Sequence, residues 1–161
     1  MAVEMLNEVR RPLGNTQGQQ RRTVEQTEVL IVEDNGADRF WLEYTLQNLE
    51  GNCRLSTVTD GEQAVDFLLK RGSYAGAATP DMIFLDVHLP KLNGIEVLRQ
   101  IPNAKDLPIC VLTSSLGERE AFREEFGIED SNYLLKPISQ DSLLSSACCQ
   151  KRFHVEPFRE Q

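Results

Sequence analysis

The sequence predicts a parallel, doubly wound α/β sheet. Three features carry that expectation: five short apolar runs, five helix-like stretches alternating with them, and polar or charged residues closing four of the runs. Runs that are apolar at every position suit strands covered on both faces, as inner strands of a parallel sheet are.

Taken in chain order, residues 29–32 (VLIV) form the first strand. Gly36 and Asp38 then open a helix with Leu42, Leu46 and Leu49 at i, i+4 and i+7. Residues 54–59 read as the second strand, and Asp60 is the N-cap of a helix carrying Ala64, Val65 and Leu68. The loop RGSYAGAATP (71–80) leads to a third strand, Met82-Ile83-Phe84-Leu85, and Ile95, Val97, Leu98 and Ile101 mark the helix after it. Pro108 begins a fourth strand that runs through Leu112, and Gly117 precedes a helix with Ala121, Phe122 and Phe126. Tyr133-Leu134-Leu135 is the last strand, followed by one final helix over roughly 141–152. No internal repeat is evident.

Composition narrows the function. The chain has 161 residues, 40% hydrophobic and 26% charged, which fits one ordinary domain with a core of its own. A formal charge of −8 argues against a nucleic-acid or anionic-membrane surface, where a basic stripe supplies affinity. The longest apolar runs have four residues, too short for a membrane span or a signal-peptide core, so a cytoplasmic location is the default expectation. The four cysteines, Cys53, Cys110, Cys148 and Cys149, lack the C-x-x-C spacing of a zinc or redox site. They are expected to be reduced, with Cys110 buried in its apolar run.

Residues 1–27 read differently. They are rich in Gln, Gly and Arg, carry a net +1, and form a flexible leader, with Met1, Val3, Met5, Leu6 and Val9 as a candidate partner-binding turn. The expected division is leader 1–27, domain 28–152 and a short tail 153–161, of which VEPFREQ is compatible with a dimer contact.

Ligands of open parallel sheets bind at the carboxyl ends of the strands. The first strand ends in Glu33-Asp34, the third in Asp86, the fourth in Thr113-Ser114-Ser115 and the fifth in Lys136-Pro137, while the second strand, ending near Thr59-Asp60, adds nothing obvious. Three convergent carboxylates repel one another unless a cation sits between them. All-oxygen ligands suit a hard ion, and without a D-x-D-x-D-G loop Mg²⁺ is favoured over Ca²⁺. Asp86 can then act as a nucleophile that forms an acyl phosphate, with Lys136 and Thr113 serving the phosphoryl oxygens. The run Glu118 to Glu125 reads as a solvated helix face.

The segments LIVEDN (30–35), IFLDVHLPKLNG (83–94), VLTSS (111–115) and YLLKP (133–137) resemble the receiver domain of two-component response regulators. That resemblance implies a flavodoxin-like fold with five strands in the order 2-1-3-4-5 and five helices. Asp86 corresponds to the phosphoacceptor, and Glu33, Asp34 and the backbone carbonyl of His88 complete the Mg²⁺ ligands with it. Lys136 and Thr113 match the phosphoryl-binding pair, Thr113 and Tyr133 the switch residues, and Pro137 the residue whose preceding peptide bond is usually cis. His88 departs from common usage at its position and is expected at the mouth of the site, where it tunes the lifetime of the phosphorylated state. The resemblance implies a stand-alone phosphoacceptor rather than an enzyme, with a histidine kinase as partner, of the phytochrome type by the VEDN and HLPKLNG segments. A phosphotransfer or target protein and a second copy of the chain are further candidate partners. A dehalogenase-type phosphatase would need D-x-D where the chain has Asp86-Val87-His88, and a flavodoxin-like cofactor binder would need a phosphate loop in place of Glu33-Asp34-Asn35.

Overall fold

In the computed structural model, which describes residues 26–49 and 52–153, the apolar runs pair as five parallel strands: β1 (Thr27–Val32), β2 (Cys53–Val58), β3 (Met82–Asp86), β4 (Ile109–Thr113) and β5 (Tyr133–Leu135). Their order in the sheet is β2-β1-β3-β4-β5. The leader and tail expectations for 1–25 and 154–161 lie outside the described residues. Among the described residues, six α-helices cover the sheet: α1 (Gly36–Gln47), α2 (Gly61–Leu68), α3 (Gly94–Gln100), α4 (Leu116–Phe126), α5 (Gln140–Ser145) and α6 (Ala147–Phe153).

Alternation along each strand sends neighbouring residues to opposite faces, and both faces are covered. Leu30, Val32, Ile83, Leu85 and Val111 pack with Ala64 and Val65 of α2, Val97 and Leu98 of α3, and Phe122 of α4. Val29, Ile31, Met82, Phe84, Cys110 and Leu112 pack on the other face with Leu42 and Leu46 of α1, Leu143 of α5, and Cys149 and Phe153 of α6. Every residue of β3 and β4 is buried, as their apolar runs predict for all but the closing Asp86 and Thr113.

The strand edges fall within one residue of the sequence reading except at the start of β1, which begins two residues earlier, and one helix differs in kind. The single helix expected over 141–152 is two, because Ser146 is extended, with φ −65° and ψ 141°. Its hydroxyl donates to the Leu143 carbonyl at 2.6 Å and lies 3.4 Å from the Cys149 amide, which donates to it. One side chain ends α5 and caps α6, the local competition that makes serine a poor residue inside a helix. All four cysteines are free, and Cys110 is buried.

Other boundaries follow the expected chemistry. Asp60 caps α2 by accepting from the Gln63 amide at 2.8 Å. Asn35 caps α1 by accepting from the amides of Ala37 and Asp38. Asn93 and Glu96 form a reciprocal capping box at the start of α3.

Register places the site. Val32 is opposite Leu85, so Glu33 and Asp86 come level at the ends of adjacent strands. Thr113 is opposite Leu135, which brings Lys136 to the same end of the sheet. Gly94 lets α3 start hard against β3: a Cβ there would lie 2.8 Å from the Asp86 carbonyl oxygen, so any larger residue must shift either the backbone that carries Asp86 or the start of α3.

Candidate functional site

The crevice at the carboxyl ends of β1, β3 and β5 holds a buried acid cluster tied to one lysine. Glu33 is fully buried and Asp86 nearly so. Nζ of Lys136 lies 2.7 Å from Oε2 of Glu33, 3.0 Å from Oδ2 of Asp86 and 3.4 Å from Oδ2 of Asp38. The remaining Glu33 oxygen accepts from the Asn35 amide at 3.0 Å, and the remaining Asp86 oxygen accepts from the His88 amide at 3.3 Å. The Lys136–Pro137 peptide bond is cis.

Burial pushes the Glu33 carboxyl up to about 7; Lys136 and the Asn35 amide pull it down, and the nearby Asp86 charge adds to the upward push. Burial pulls the Lys136 ammonium down, but the two carboxylates outweigh burial and keep it protonated well above its ordinary range. Among the described residues only Lys136 pairs with these carboxylates, the Arg39 guanidinium donating instead to the Glu33 backbone carbonyl, so the cluster holds more carboxylates than paired cations.

Asp34 completes the acidic set. Glu33, Asp34 and Asp86 each offer a carboxylate oxygen within 4.8 Å of the others. Three hard oxygens around one point, with no imidazole or thiolate among them, fit a small divalent cation of the Mg²⁺ type.

At the end of β4 the arrangement differs. Thr113 is buried, and its hydroxyl bonds with Ser115 and Glu118. His88 reaches the rim, its side chain two-thirds exposed, with Nε2 2.6 Å from Oε1 of Glu118. Tyr133 is half-buried, its hydroxyl within reach of the Arg119 carbonyl at 3.1 Å and the Ile128 carbonyl at 3.3 Å, with the Arg119 guanidinium 5.2 Å from the ring centre. Burial pushes the Tyr133 hydroxyl up to about 12, with Arg119 opposing and Asp130 assisting.

The sequence-predicted residues Glu33, Asp34, Asp86 and Lys136 meet in one place, with Thr113 and His88 at its edge. Two participants were not singled out as site residues. Asp38 stands in the first turn of α1, close behind the acid pair that ends β1. Glu118 belongs to the stretch expected to be only a solvated face; its carboxylate instead joins Thr113 and His88, and Glu125 in the same stretch forms a bidentate pair with Arg99. Asp60, at the second strand end, caps α2 and pairs with Lys91 at 3.1 Å.

The chain is similar in sequence and fold to several known proteins. Rcp1, a response regulator from Synechocystis, is 38% identical over 93 residues, covering 56% of this chain and 63% of Rcp1. A solved structure of the Mn²⁺-bound form of Rcp1 matches at a TM-score of 0.65 and 31% identity, covering 83% of this chain and 97% of that one. The bacteriophytochrome response regulator RtBRR matches at a TM-score of 0.69 and 30% identity, covering 82% and 84% of the two chains. The phosphorylated cyanobacterial phytochrome response regulator RcpA matches at 0.63 and 32%, covering 78% and 91%. Among the described residues, no helix is long and apolar enough to cross a membrane. The response regulator receiver domain matches residues 29–147, and the chain belongs to that family of two-component signalling proteins.

Proposed function

We propose that Asp86 accepts a phosphoryl group from the phosphohistidine of a histidine kinase, with Mg²⁺ held by Glu33, Asp34, Asp86 and the backbone carbonyl of His88. The observation that carries this reading is the buried Asp86 carboxylate at the strand end, 3.0 Å from the Lys136 ammonium and inside a three-carboxylate group. An Asp86 oxygen attacks phosphorus, the P–O bond forms as the P–N bond to the kinase imidazole breaks, and the imidazole leaves with the electron pair. Bound Mg²⁺ supplies positive charge to the carboxylates and the phosphoryl oxygens. Lys136, already against Asp86, keeps one ammonium on the transferred group, and the Thr113 hydroxyl donates to another of its oxygens. Acceptance and hydrolysis of its own phosphoryl group are the whole of the chemistry, without turnover of an external substrate.

The receiver unit of this reading, expected over 28–152, also takes in Thr27, which opens β1, and Phe153, which ends α6 and packs in the core. The chain acts as a single-domain regulator in the cytoplasm and signals through its surface, as Thr113 and Tyr133 carry the change at Asp86 to α4 and β5. RtBRR and RcpA support a kinase of the phytochrome type. A phosphotransfer or target protein and a second copy of the chain are the candidate readers.

Intact-mass spectrometry after incubation with acetyl phosphate, with and without Mg²⁺, tests the core of this reading. The expected result is a Mg²⁺-dependent gain of one phosphoryl group in wild type and none in Asp86→Asn. Equal gain in Asp86→Asn would move the acceptor elsewhere.

A further inference from the structure

Among the described residues, reciprocal capping boxes form between Asn93 and Glu96 and between Ser139 and Ser142. The start of α4 carries the same sequence signature, Ser115-Leu116-Gly117-Glu118, in which the acid ordinarily folds back onto the cap amide. Here it does not. The Ser115 amide donates to Oγ1 of Thr113 at 3.1 Å, and Oγ of Ser115 accepts from Gly117. The Glu118 carboxylate turns toward the crevice, where Oε2 accepts from the Thr113 hydroxyl and Oε1 meets Nε2 of His88. A side chain with an ordinary local use is spent on two residues of the site.

Thr113 has one hydroxyl proton. Its acceptors are the Ser115 carbonyl at 2.9 Å and the Glu118 carboxylate, and the charged one is the stronger. The next residue of α4, Arg119, accepts from the Tyr133 hydroxyl through its carbonyl. The first two turns of α4 therefore hold both Thr113 and Tyr133, and Glu118, with only a quarter of its side chain exposed, is the charged contact of the two.

The geometry points to Glu118 as a latch: a positioning residue that keeps the Thr113 hydroxyl turned away from Asp86 and releases it only when an anionic group arrives there. The inference rests on the phosphoacceptor reading and names the residue that sets its switching threshold. A phosphoryl group on Asp86 and the Glu118 carboxylate are rival anionic acceptors for the same proton, so each must displace the other. Removing the charged acceptor from the resting side shifts that competition toward the occupied state by about tenfold, the scale of one charge-assisted hydrogen bond.

Beryllofluoride with Mg²⁺, titrated calorimetrically into the full chain, is the probe of the occupied state. Glu118→Ala is expected to bind it about tenfold more tightly than wild type, with Glu118→Gln between the two. In the Thr113→Val background the same Glu118→Ala change is expected to alter affinity less than twofold. A residue that merely supported the fold would weaken binding when replaced. Unchanged or weaker binding by both Glu118 variants overturns the latch. A tenfold gain that persists without the Thr113 hydroxyl also overturns it, because the effect is then only the loss of a nearby negative charge. Wild type that neither binds beryllofluoride nor gains mass from acetyl phosphate overturns the phosphoacceptor reading and the latch with it. Wild type that does both while Glu118 has no effect sinks the latch alone.

Discussion

The two halves of the crevice use opposite kinds of construction. At the ends of β1, β3 and β5, Glu33 and Asp86 are buried and the Lys136 side chain is mostly covered, and their contacts join residues as many as 103 positions apart in the chain. At the end of β4, Thr113, Ser115 and Glu118 bond among themselves within five residues, and their outside partner, His88, is mostly exposed. The first half is fixed by the packing of three strands, so moving one member disturbs the sheet. The second half is held by a loop and one turn of helix, which can exchange hydrogen bonds without unpacking the core. Chemistry that must stay in register belongs in the former, and a part that must move belongs in the latter.

The largest test of that contrast is Lys136→Met. It removes the one cation from a buried carboxylate cluster while keeping apolar bulk. At neutral pH without Mg²⁺ the loss expected in urea unfolding is about 3 kcal/mol, the scale of breaking a buried ion pair. Added Mg²⁺ should recover part of it. A loss below about 1 kcal/mol would mean that the cluster is not fixed by its lysine.

Gly94→Ala acts on the same half through the backbone. The added Cβ meets the Asp86 carbonyl oxygen at 2.8 Å, which no rotamer change relieves. A destabilisation of about 2 kcal/mol is expected, the middle of the overpacking range, together with weakened Mg²⁺ binding because the carrier of Asp86 is displaced. Full retention of Mg²⁺ affinity would show that the contact is absorbed by α3 and not by β3.

The pH response of the fixed half has a definite sign. Glu33 has a folded-state pKa raised from 4.5 to about 7, so between those values the folded chain holds a proton that the unfolded chain has lost. Its contribution to stability is complete below about pH 4.5 and is lost as pH rises through 7. Thermal unfolding without Mg²⁺ should show this fall between pH 5 and 8, and Glu33→Gln should flatten it. Mg²⁺ should flatten it too, because the ion stabilises the deprotonated carboxylate. A slope unchanged in Glu33→Gln would assign it to another group.

The difference between the halves also explains what was legible in the sequence. Glu33, Asp34, Asp86 and Lys136 were readable because each directly ends an apolar run, and strand ends of a parallel sheet converge by topology. The inner strands β1, β3 and β4 were readable from the same runs, since burial on both faces leaves an unmistakable composition, whereas the edge strand β2 is only partly buried. Glu118 was hidden because helix α4 is acidic all along its outer face, and nothing in the order of residues says which carboxylate turns inward. Its S-x-x-E signature pointed to an ordinary cap, and Thr113 diverted it by taking the amide that the cap would have used. The break at Ser146 was hidden for a similar reason. A serine inside an apolar helical pattern is tolerated often enough that only its two hydrogen bonds, to Leu143 and from Cys149, reveal the turn.

The smallest effect is predicted at Ser115, and it discriminates most finely between the two kinds of construction. Its Oγ accepts from the Gly117 amide at 3.2 Å, and its own amide and carbonyl, not its side chain, contact Thr113. Ser115→Ala therefore removes a helix cap and leaves the backbone contacts to Thr113 in place. The cost expected in urea unfolding is about 0.5–1 kcal/mol, a fraction of that at Lys136. Mg²⁺ affinity should be unchanged, because no carboxylate moves. Hydrogen exchange should rise in the first turn of α4 and stay level in β1 and β3. If exchange also rose at the ends of β1 and β3, the loop and the strands would be one cooperative unit, and the freedom assigned to Thr113 and Glu118 would be lost with it.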